Sequence, residues 1–375
     1  MRTIYVAATG QHVGKTTSTL GLVANLKDKG FNAGYCKPVG QEFLNVDGLI
    51  ADKDAFLFSR FIGFDIHPEW HSPVVLARGA TKKYIENPDD FEFESQILSA
   101  DEDLKKQYDY VVYEGTGHPG VGSVVDLSNA KVARLLDAGV IMVVEGGIGK
   151  TIDRLSLSLS LFKEEKVPIL GVIVNKVKVE KMDTIRYYLE KKLDKMGVPL
   201  LGILPYDKTL SFPIMATINQ AIKGKVIMNP DKLNNRVEDI IAGSLVHIEE
   251  FNSFSNKLLV VSYRRLGEAI EKIKHISQIK NLQESPLSGI IVTGDGHHAH
   301  VYTESGLDIP YFRDNKIPII TTALDTYGSV VKISRIEVKI NSRTPWKVHR
   351  AIELIKEHVN FDLLIKKIDA QPFPQ

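Results

Sequence analysis

Over roughly the first 210 residues, short apolar runs alternate with longer segments whose apolar positions recur at helical spacing. Runs of this kind predict buried β-strands, and the longer amphipathic segments predict helices. Because each helix carries the chain back for the next strand, such alternation is typical of a parallel sheet with helices on both faces. We predict an α/β fold for residues 1–210, a doubly wound and mostly parallel sheet. Its predicted strands are residues 4–8, 31–39, 108–113, 140–144, 169–174 and 200–204.

One segment contradicts its local pattern. The leucines of residues 155–161 alternate with serines, and a period of two taken alone predicts a strand. The strands predicted on either side, residues 140–144 and 169–174, look parallel and need a crossover between them, which is usually helical. We therefore predict a helix at this position. The other predicted helices include residues 47–63, 91–107, 126–137 and 181–196.

A second α/β pattern follows the first. Residues 257–262, 289–293 and 318–321 are apolar runs that predict strands, with helical segments between and after them at residues 265–278 and 326–333. We place a second, smaller domain at residues 211–359, with residues 346–359 as its closing helix. Residues 360–375 are interpreted as a tail.

Residues 4–17 (IYVAATGQHVGKTT) combine a strand, a glycine-containing turn and a helix start. Phosphate binding requires backbone N–H groups that point inward, which glycine allows, and the positive end of a helix dipole behind them. Gly14, Lys15 and Thr16 match the end of the pattern G-x-x-x-x-G-K-[ST], whereas Thr9 stands where the pattern has its first glycine. We predict a nucleotide site in which Lys15 faces the outer phosphates and the Thr16 hydroxyl is a ligand of Mg²⁺. The residues predicted to line it are Thr9, Gly10, Gln11, His12, Val13, Gly14, Lys15, Thr16 and Thr17.

Other polar residues lie at the predicted strand ends, where a doubly wound sheet binds its ligands. Glu114, at the tip of an apolar strand, suits Mg²⁺, which takes few protein carboxylates together with water and phosphate oxygens. A second carboxylate comes from the helix after Lys37, where the residues alone leave Asp52 and Asp54 as alternatives. The strand-end residues expected to converge with the glycine-containing loop are Lys37, Glu114, Asn175 and Pro205.

Composition and charge argue against several classes of protein, namely nucleic-acid-binding, disulfide-bonded and membrane proteins. Lys and Arg number 47 against 46 Asp and Glu, a net charge of +1, so the charge balance predicts no nucleic-acid partner. The single cysteine, Cys36, rules out an intramolecular disulfide and fits a reducing compartment. No apolar run approaches the roughly 20 residues that span a bilayer, and the N-terminus lacks the pattern of a signal peptide. We therefore expect a cytoplasmic protein with no membrane partner.

The motifs taken together resemble the dethiobiotin synthetase and cobyrinic acid a,c-diamide synthase family of P-loop proteins. The resemblance implies that ATP is the nucleotide, that Thr16, Asp54 and Glu114 hold Mg²⁺, and that Asn175 contacts the adenine edge. It also implies a homodimer formed across the nucleotide site. The matching motifs, in chain order, are Lys15-Thr16, Lys37-Pro38-Val39, Asp54-Ala55, Glu114-Gly115-Thr116-Gly117, Asn175 after GVIV, and Gly202-Ile203-Leu204-Pro205.

The remainder is similar to the DRTGG domain, at residues 235–245 (NRVEDIIAGSL), 289–296 (GIIVTGDG) and 317–327 (IPIITTALDTY). A P-loop synthetase-like domain followed by a DRTGG domain is the order found in the N-terminal half of long bacterial phosphate acetyltransferases. The name motif itself is poorly kept, because residues 262–264 (SYR) stand where an acidic residue and an arginine are expected.

Departures from the family pattern concern the acceptor substrate. Dethiobiotin synthetases have a threonine and a glutamate before Val-Gly-Lys-Thr and a serine after Lys-Pro-Val, whereas this chain has Gln11, His12 and Gln41. A self-sufficient amidotransferase would need a glutaminase cysteine, and the second domain contains no cysteine. The ATP-binding half of the pattern is therefore kept and the acceptor half is not.

Three hypotheses follow. The favoured one is a nucleotide-binding regulatory module, whose state is passed to a protein partner through the second domain. The second is an ATP-dependent ligase with an unknown acceptor, in which Lys15 and Lys37 are the catalytic residues and act by charge neutralisation and positioning. The third is a scaffold that has lost nucleotide turnover.

Two further motifs are interpreted conservatively. Residues 147–151 (GIGKT) look like a second phosphate loop, but Val144 stands five residues before Gly149 inside a predicted strand, so we predict a plain helix start. His297, His298 and His300 have spacing suited to a metal, yet one loop without a partner cluster is more often a solvated turn.

Overall fold

The computed structural model describes residues 2–243, 254–294 and 310–370 of the chain. Its contacts divide the chain into two units, one comprising Met1–Asp207 with Ile340–Gln375 and the other comprising Lys208–Lys339. The three histidines at 297–300 and parts of the predicted DRTGG motifs lie outside the described residues. No described helix is long and apolar enough to cross a membrane.

A six-stranded sheet with the order β10-β9-β8-β1-β7-β2 forms the centre of the first unit. All its strand pairs are parallel, which confirms the predicted doubly wound fold. The strands of residues 2–207 are β1 (Arg2–Ala8), β2 (Ala33–Cys36), β3 (Val39–Gly40), β4 (Phe43–Val46), β5 (Leu49–Asp52), β6 (Val74–Val75), β7 (Tyr110–Glu114), β8 (Gly139–Glu145), β9 (Ile169–Val177) and β10 (Leu200–Pro205).

Helices connect these strands and cover both faces of the sheet. The serine-interrupted leucine segment is helical, as the crossover argument predicted, and its helix α7 begins at Gly149. The helices of residues 2–207 are α1 (Lys15–Asp28), α2 (Lys53–Phe58), α3 (Pro68–His71), α4 (Ala80–Glu86), α5 (Phe93–Gln107), α6 (Asn129–Leu135), α7 (Gly149–Glu164) and α8 (Met182–Met196).

The predicted helix at residues 47–63 was wrong at its start. Residues 43–52 form an antiparallel hairpin, β4 with β5, and the helix begins only at Lys53. The turn consists of Asp47 and Gly48, both with positive φ (52° and 88°). An Asp-Gly pair between short apolar segments favours a two-residue hairpin turn, because both central residues of that turn need positive φ.

The second unit contains a five-stranded sheet with the order β11-β15-β14-β13-β12, in which β11 is antiparallel to β15 and the other pairs are parallel. The predicted strands at 257–262, 289–293 and 318–321 are all present, so the second α/β pattern is confirmed. The described elements are α9 (Met215–Ile222), β11 (Lys225–Met228), β12 (Asp239–Ala242), β13 (Lys257–Ser262), α10 (Leu266–Ile279), β14 (Leu287–Thr293), α11 (Pro310–Asp314), β15 (Ile319–Thr322) and α12 (Thr326–Ser334).

The C-terminal segment belongs to the first unit, which corrects the predicted boundary at residue 359 and the predicted tail. Two helices, α13 (Pro345–His358) and α14 (Phe361–Asp369), cover the sheet face that α1 also covers. Ala351 and Ile355 of α13 are fully buried in one apolar cluster with Leu20 and Leu22 of α1. The physical reason is surface complementarity, because apolar side chains of α13 and α14 are buried in the cluster on this face.

Candidate functional site

The loop between β1 and α1 turns at Gly14, which has φ 107°. A Cβ atom at this position would lie 2.1 Å from Nδ2 of Asn175, so both the backbone conformation and the space require glycine. The Gly14 carbonyl accepts from Ser18 N–H at 2.9 Å, which starts α1 directly behind the loop. The predicted strand, loop and helix are therefore present, with the helix N-terminus facing the loop.

Residues at the end of β9 hold this loop. Asn175 Nδ2 donates to the carbonyl of Val13 at 2.8 Å, and Lys176 Nζ donates to the carbonyl of His12 at 2.6 Å. The backbone N–H of Lys176 in turn binds Asn175 Oδ1 at 2.8 Å. Asn175 is thus brought to the loop, as predicted, and its contact with adenine stays a prediction. Pro205 lies at the end of β10 and pairs with Val177 of β9.

Two side chains at the start of α1 bind the segment that follows β7. Lys15 Nζ donates to the carbonyl of Gly117 at 2.9 Å, and Thr16 Oγ1 donates to Glu114 Oε1 at 2.6 Å. The same segment is also held by β3, because Thr116 Oγ1 donates to the Val39 carbonyl at 2.7 Å. The two residues predicted to face phosphate and Mg²⁺ therefore both contact the loop at residues 114–117.

Lys37 lies among three carboxylates. Its ammonium group donates a hydrogen bond to Asp54 Oδ2 and lies 3.7 Å from Asp52 Oδ1 and 4.0 Å from Glu114 Oε1. Tyr35 OH donates to the other Glu114 oxygen at 3.3 Å. Lys37 and all three acids are buried, with exposed fractions of 8% or less. The structure brings together every charged residue that the sequence predicted for catalysis or metal binding, except Lys15, which binds the adjacent loop.

The hairpin and helix α3 position this cluster. Asp52 caps α2, since its Oδ1 accepts from the Asp54 N–H at 2.9 Å, and its own N–H binds Ser72 Oγ at 2.9 Å. The N–H of Lys37 donates to the carbonyl of His71 at 2.9 Å. Sequence analysis missed Ser72 and His71, because their proline-rich surroundings showed no periodic pattern.

Burial and neighbouring charges shift the pKa values of Lys37 and of the acids around it. Burial raises the pKa of Glu114 to about 7, although the nearby Lys37 ammonium works in the opposite direction. Burial also raises the pKa of Asp52, again against the effect of Lys37. Burial by itself would lower the pKa of Lys37, but Asp54, Glu114 and Asp52 outweigh it and raise that pKa, so the ammonium stays charged.

The donor set fits Mg²⁺. Two carboxylates and a hydroxyl, from Asp54, Glu114 and Thr16, are the hard oxygen ligands that this ion takes beside water and phosphate oxygens. Within the described residues, no group of three or more His, Cys, Asp or Glu side chains is already arranged around a common metal position. In the structure, the Lys37 ammonium lies between the oxygens of Glu114 and Asp54.

The second glycine-lysine-threonine motif has a different environment. Gly149 is the first residue of α7, and Thr151 Oγ1 donates to the carbonyl of Glu145 at 2.7 Å. The threonine hydroxyl is thus bound to the backbone at the end of β8.

Comparison with known proteins agrees with this geometry. Residues 2–213 match the AAA_26 family, described as an AAA domain. The chain belongs to the AAA_26 family. Its matched region covers the six-stranded sheet and the loop at Gly14, so the first unit contains a P-loop NTPase domain, a fold that implies nucleotide binding.

Curated relatives with three different enzyme names match this chain. The phosphate acetyltransferase of Nitrosomonas europaea is 24% identical over 378 residues, which is 98% of this chain and 52% of that protein. The dethiobiotin synthetase BioD of Thermodesulfovibrio yellowstonii is 27% identical over 54% of this chain and 88% of its own length. A probable cobyric acid synthase of Methanocaldococcus jannaschii is 27% identical over 56% of this chain and 46% of that protein. These relatives confirm the predicted family combination, and the chain spans about half the length of the phosphate acetyltransferases it matches.

Proposed function

We propose that this AAA_26 protein is a nucleotide-dependent regulatory module. ATP with Mg²⁺ binds at the loop before α1, the second unit responds, and a protein partner detects that response. The homodimer, the cytoplasmic location and the DRTGG character of the second unit stay predictions beside this proposal.

The positions of the backbone N–H groups and side chains support the proposed nucleotide contacts. The N–H groups of residues 9–17 and the N-terminus of α1 would bind the phosphates, with Lys15 as their point charge. Thr16, Asp54 and Glu114 would hold Mg²⁺, which neutralises phosphate charge when bound. A phosphate that attracts Lys15 competes with the Gly117 carbonyl, which Lys15 contacts in the structure. The loop at residues 114–117 is thereby made sensitive to the nucleotide.

The observation that carries the regulatory proposal is the connectivity of the chain. The second unit is inserted between β10 and α13, both of which are elements of the first unit. The chain leaves after β10, one of the strands whose carboxyl ends form the nucleotide edge of the sheet. It returns into α13, which packs closely on α1, with Gly21 facing Ile355. A nucleotide that displaces α1 therefore also acts on α13. The chain enters α13 directly after the second unit, so this helix adjoins one of the two connections of that unit.

Hydrogen exchange of the full chain, with and without MgATP, tests this proposal. We expect nucleotide to change the protection of described segments of the second unit such as Leu287–Thr293 and Ile319–Thr322. Coupling between two sites is reciprocal, so a binding partner of the second unit should in turn change ATP affinity. Saturating nucleotide with unchanged exchange in both segments would contradict the regulatory role.

Substitution of Lys15 tests the phosphate site itself. Lys15→Ala is the test variant, and Lys106→Ala, at an exposed lysine that pairs with Asp103, is the matched control. A ligand at 100 times its dissociation constant stabilises a protein by about 2.7 kcal/mol. We expect the parent and the Lys106 variant to show this stabilisation in thermal unfolding, and Lys15→Ala to lose it without losing its fold. If Lys15→Ala is stabilised as much as the parent, the loop at Gly14 is not the phosphate site. If no variant and no parent responds to any nucleotide, the scaffold hypothesis is favoured.

An ATP-dependent ligase is the second candidate, favoured by one observation. Lys37, the predicted catalytic lysine, is buried beside the two carboxylates predicted to hold Mg²⁺. Such a position suits charge neutralisation during phosphoryl transfer to an acceptor. Phosphate release by the full chain, measured alone and with carboxylate or amine acceptors, distinguishes the candidates. Turnover that depends on one acceptor would support the ligase.

A further inference from the structure

The cluster around Lys37 contains its own cation. The ammonium group is bonded to Asp54, lies 4.0 Å from Glu114 Oε1, and faces Asp52 Oδ1 at 3.7 Å. Glu114 Oε1 is also the atom that Thr16 contacts, at 2.6 Å. The predicted metal ligands Thr16, Glu114 and Asp54 are therefore linked in a row, and Lys37 joins the last two.

We propose that Lys37 and a divalent cation compete for the same carboxylates, so that metal binding releases the Lys37 ammonium group toward the phosphates. The inference rests on the proposed function only in taking this cluster as the site of MgATP. The inference gives Lys37 a role that precedes phosphoryl transfer. Lys37 is a covalently attached counter-ion that the metal must displace.

The cluster attracts a divalent ion even while Lys37 is in place. When ionised, the three buried carboxylates exceed the single Lys37 charge by two negative charges. Glu114 and Asp54 cannot both bind a divalent ion while the ammonium remains between them, because like charges at this separation in a buried site repel strongly. The carboxylates have to exchange one cation for the other.

The anchoring of the groups shows which of them moves. Asp52 is held at its carboxylate by the Asp54 N–H and at its own N–H by Ser72. Glu114 is held by both Thr16 and Tyr35. Lys37 is fixed at its backbone by the His71 carbonyl, but its ammonium ends a flexible four-carbon chain. Withdrawal of Lys37 therefore costs less rearrangement than withdrawal of Asp52 or Glu114.

The test measures Mn²⁺ binding to the nucleotide-free full chain by electron paramagnetic resonance, with Mn²⁺ as an oxygen-preferring substitute for Mg²⁺. We expect Lys37→Met, which removes the charge and keeps most of the volume, to bind Mn²⁺ at least tenfold more tightly than the parent. Lys37→Arg keeps the charge and should remain as weak as the parent. Lys106→Met removes one positive charge from the exposed surface, where Lys106 pairs with Asp103, and should leave Mn²⁺ affinity unchanged.

Unchanged or weaker Mn²⁺ binding by folded Lys37→Met would overturn the proposed competition. Lys37 would then have no effect on metal affinity or would help to form the metal site. A second measurement avoids dependence on that variant. In the parent, acylation of the Lys37 amine by a small reagent, quantified by peptide mass spectrometry, should increase when Mg²⁺ alone is added. Equal labelling with and without Mg²⁺ overturns the proposal, and Lys106 is the internal control.

The proposed function and the competition between Lys37 and the metal can fail independently of each other. If thermal unfolding of the parent shows no response to any nucleotide, the proposed function fails, whatever the Mn²⁺ result. If nucleotide binds but Lys37→Met has parental Mn²⁺ affinity, only the competition fails.

Discussion

Glu114 joins the phosphate loop to the Lys37 cluster. One of its oxygens accepts from Thr16, at the start of α1, and the other accepts from Tyr35, at the end of β2. Burial raises its pKa to about 7, so its ionisation depends on the cations around it. A carboxylate in such an environment gains most from a bound divalent ion.

If Glu114 and Asp54 share the metal, Glu114→Gln should weaken MgATP binding by tenfold or more, with a much smaller effect on metal-free ATP. The reason is that only the metal-bound form uses the carboxylate charge. Isothermal titration with MgATP, and with ATP in the presence of a chelator, measures both affinities. Asp103→Asn is the control, because Asp103 pairs with the exposed Lys106 and its substitution is expected to leave both affinities unchanged. An equal loss of both affinities in Glu114→Gln would mean that Glu114 is structural.

His71 predicts a pH dependence of stability. It is buried, its Nδ1 accepts from the His67 N–H at 3.0 Å, and burial lowers its pKa to about 4. Because the folded protein binds this proton less readily than the unfolded chain, stability rises with pH between about 4 and the ordinary value of about 6.5. The full effect of His71 on the free energy of unfolding is reached above about pH 6.5. Relative to a pH below 4 it amounts to roughly 3 kcal/mol, at about 1.36 kcal/mol per pKa unit.

Chemical denaturation of the parent and of His71→Phe at pH 4.5 and pH 7 measures this contribution. We expect the stability difference between the two pH values to be smaller in the variant, since its aromatic ring still packs on Phe64 but does not titrate. The same pH dependence in both proteins would show that His71 is not responsible.

At the scale of elements, helix α1 connects the candidate site to the C-terminal segment. It carries Lys15 and Thr16 at its start, and one turn later Gly21 allows α13 to approach. A Cβ atom on Gly21 would lie 2.4 Å from Ile355 Cγ1 and 3.0 Å from the Ala351 carbonyl oxygen. Asn25, one turn further, donates to the Ile352 carbonyl at 3.1 Å. The two helices are therefore in close backbone contact.

Gly21→Ala should destabilise the first unit by about 1–3 kcal/mol, the usual cost of overpacking a close contact. The better helix propensity of alanine, worth about 1 kcal/mol at most, offsets only part of this cost. Gly149→Ala in α7 is the matched control, because among the described residues its added Cβ meets no atom within 4 Å apart from its chain neighbours and the backbone of its own helix. Thermal unfolding of both variants decides the point: a Gly21 variant as stable as the Gly149 variant would mean that α1 and α13 are not tightly packed.

At the scale of the whole molecule, the first unit is discontinuous in sequence. Its C-terminal helices bury Val348, Ala351, Ile355, Phe361 and Leu364 against the sheet. Each large apolar side chain buried in this way contributes roughly 1.5–3 kcal/mol. Their sum is comparable with the entire stability of a typical domain, about 5–15 kcal/mol. Residues 1–210 therefore do not contain a complete folding unit.

We expect a chain truncated after residue 210 to be insoluble or to lack cooperative unfolding. A chain in which a glycine-serine linker replaces residues 208–339, and which keeps α13 and α14, should unfold cooperatively and respond to nucleotide. Soluble yield and circular dichroism melting measure both variants. Cooperative unfolding of the truncated chain would contradict the shared core.

The sequence by itself determined most of the strands and helices and the identity of the glycine-containing loop. Strand and helix periodicity, and glycine beside Lys15 and Thr16, are local signals, because they depend on backbone conformation and on neighbours a few residues away. The hairpin at residues 43–52 also had a local signal, the Asp47-Gly48 turn, and was missed because the apolar spacing around it fits a helix equally well.

Only the tertiary structure decided where the C-terminal helices lie and how Lys37 meets its acids. Asn25 and Ile352 are 327 positions apart in the chain, and no local pattern states which apolar face a distant helix will cover. The residues alone also left Asp52 and Asp54 equivalent. The fold distinguishes them, because Asp52 bonds the start of α2 while Asp54 bonds the Lys37 ammonium. These pairings depend on surface complementarity and distance between elements, which periodicity does not encode.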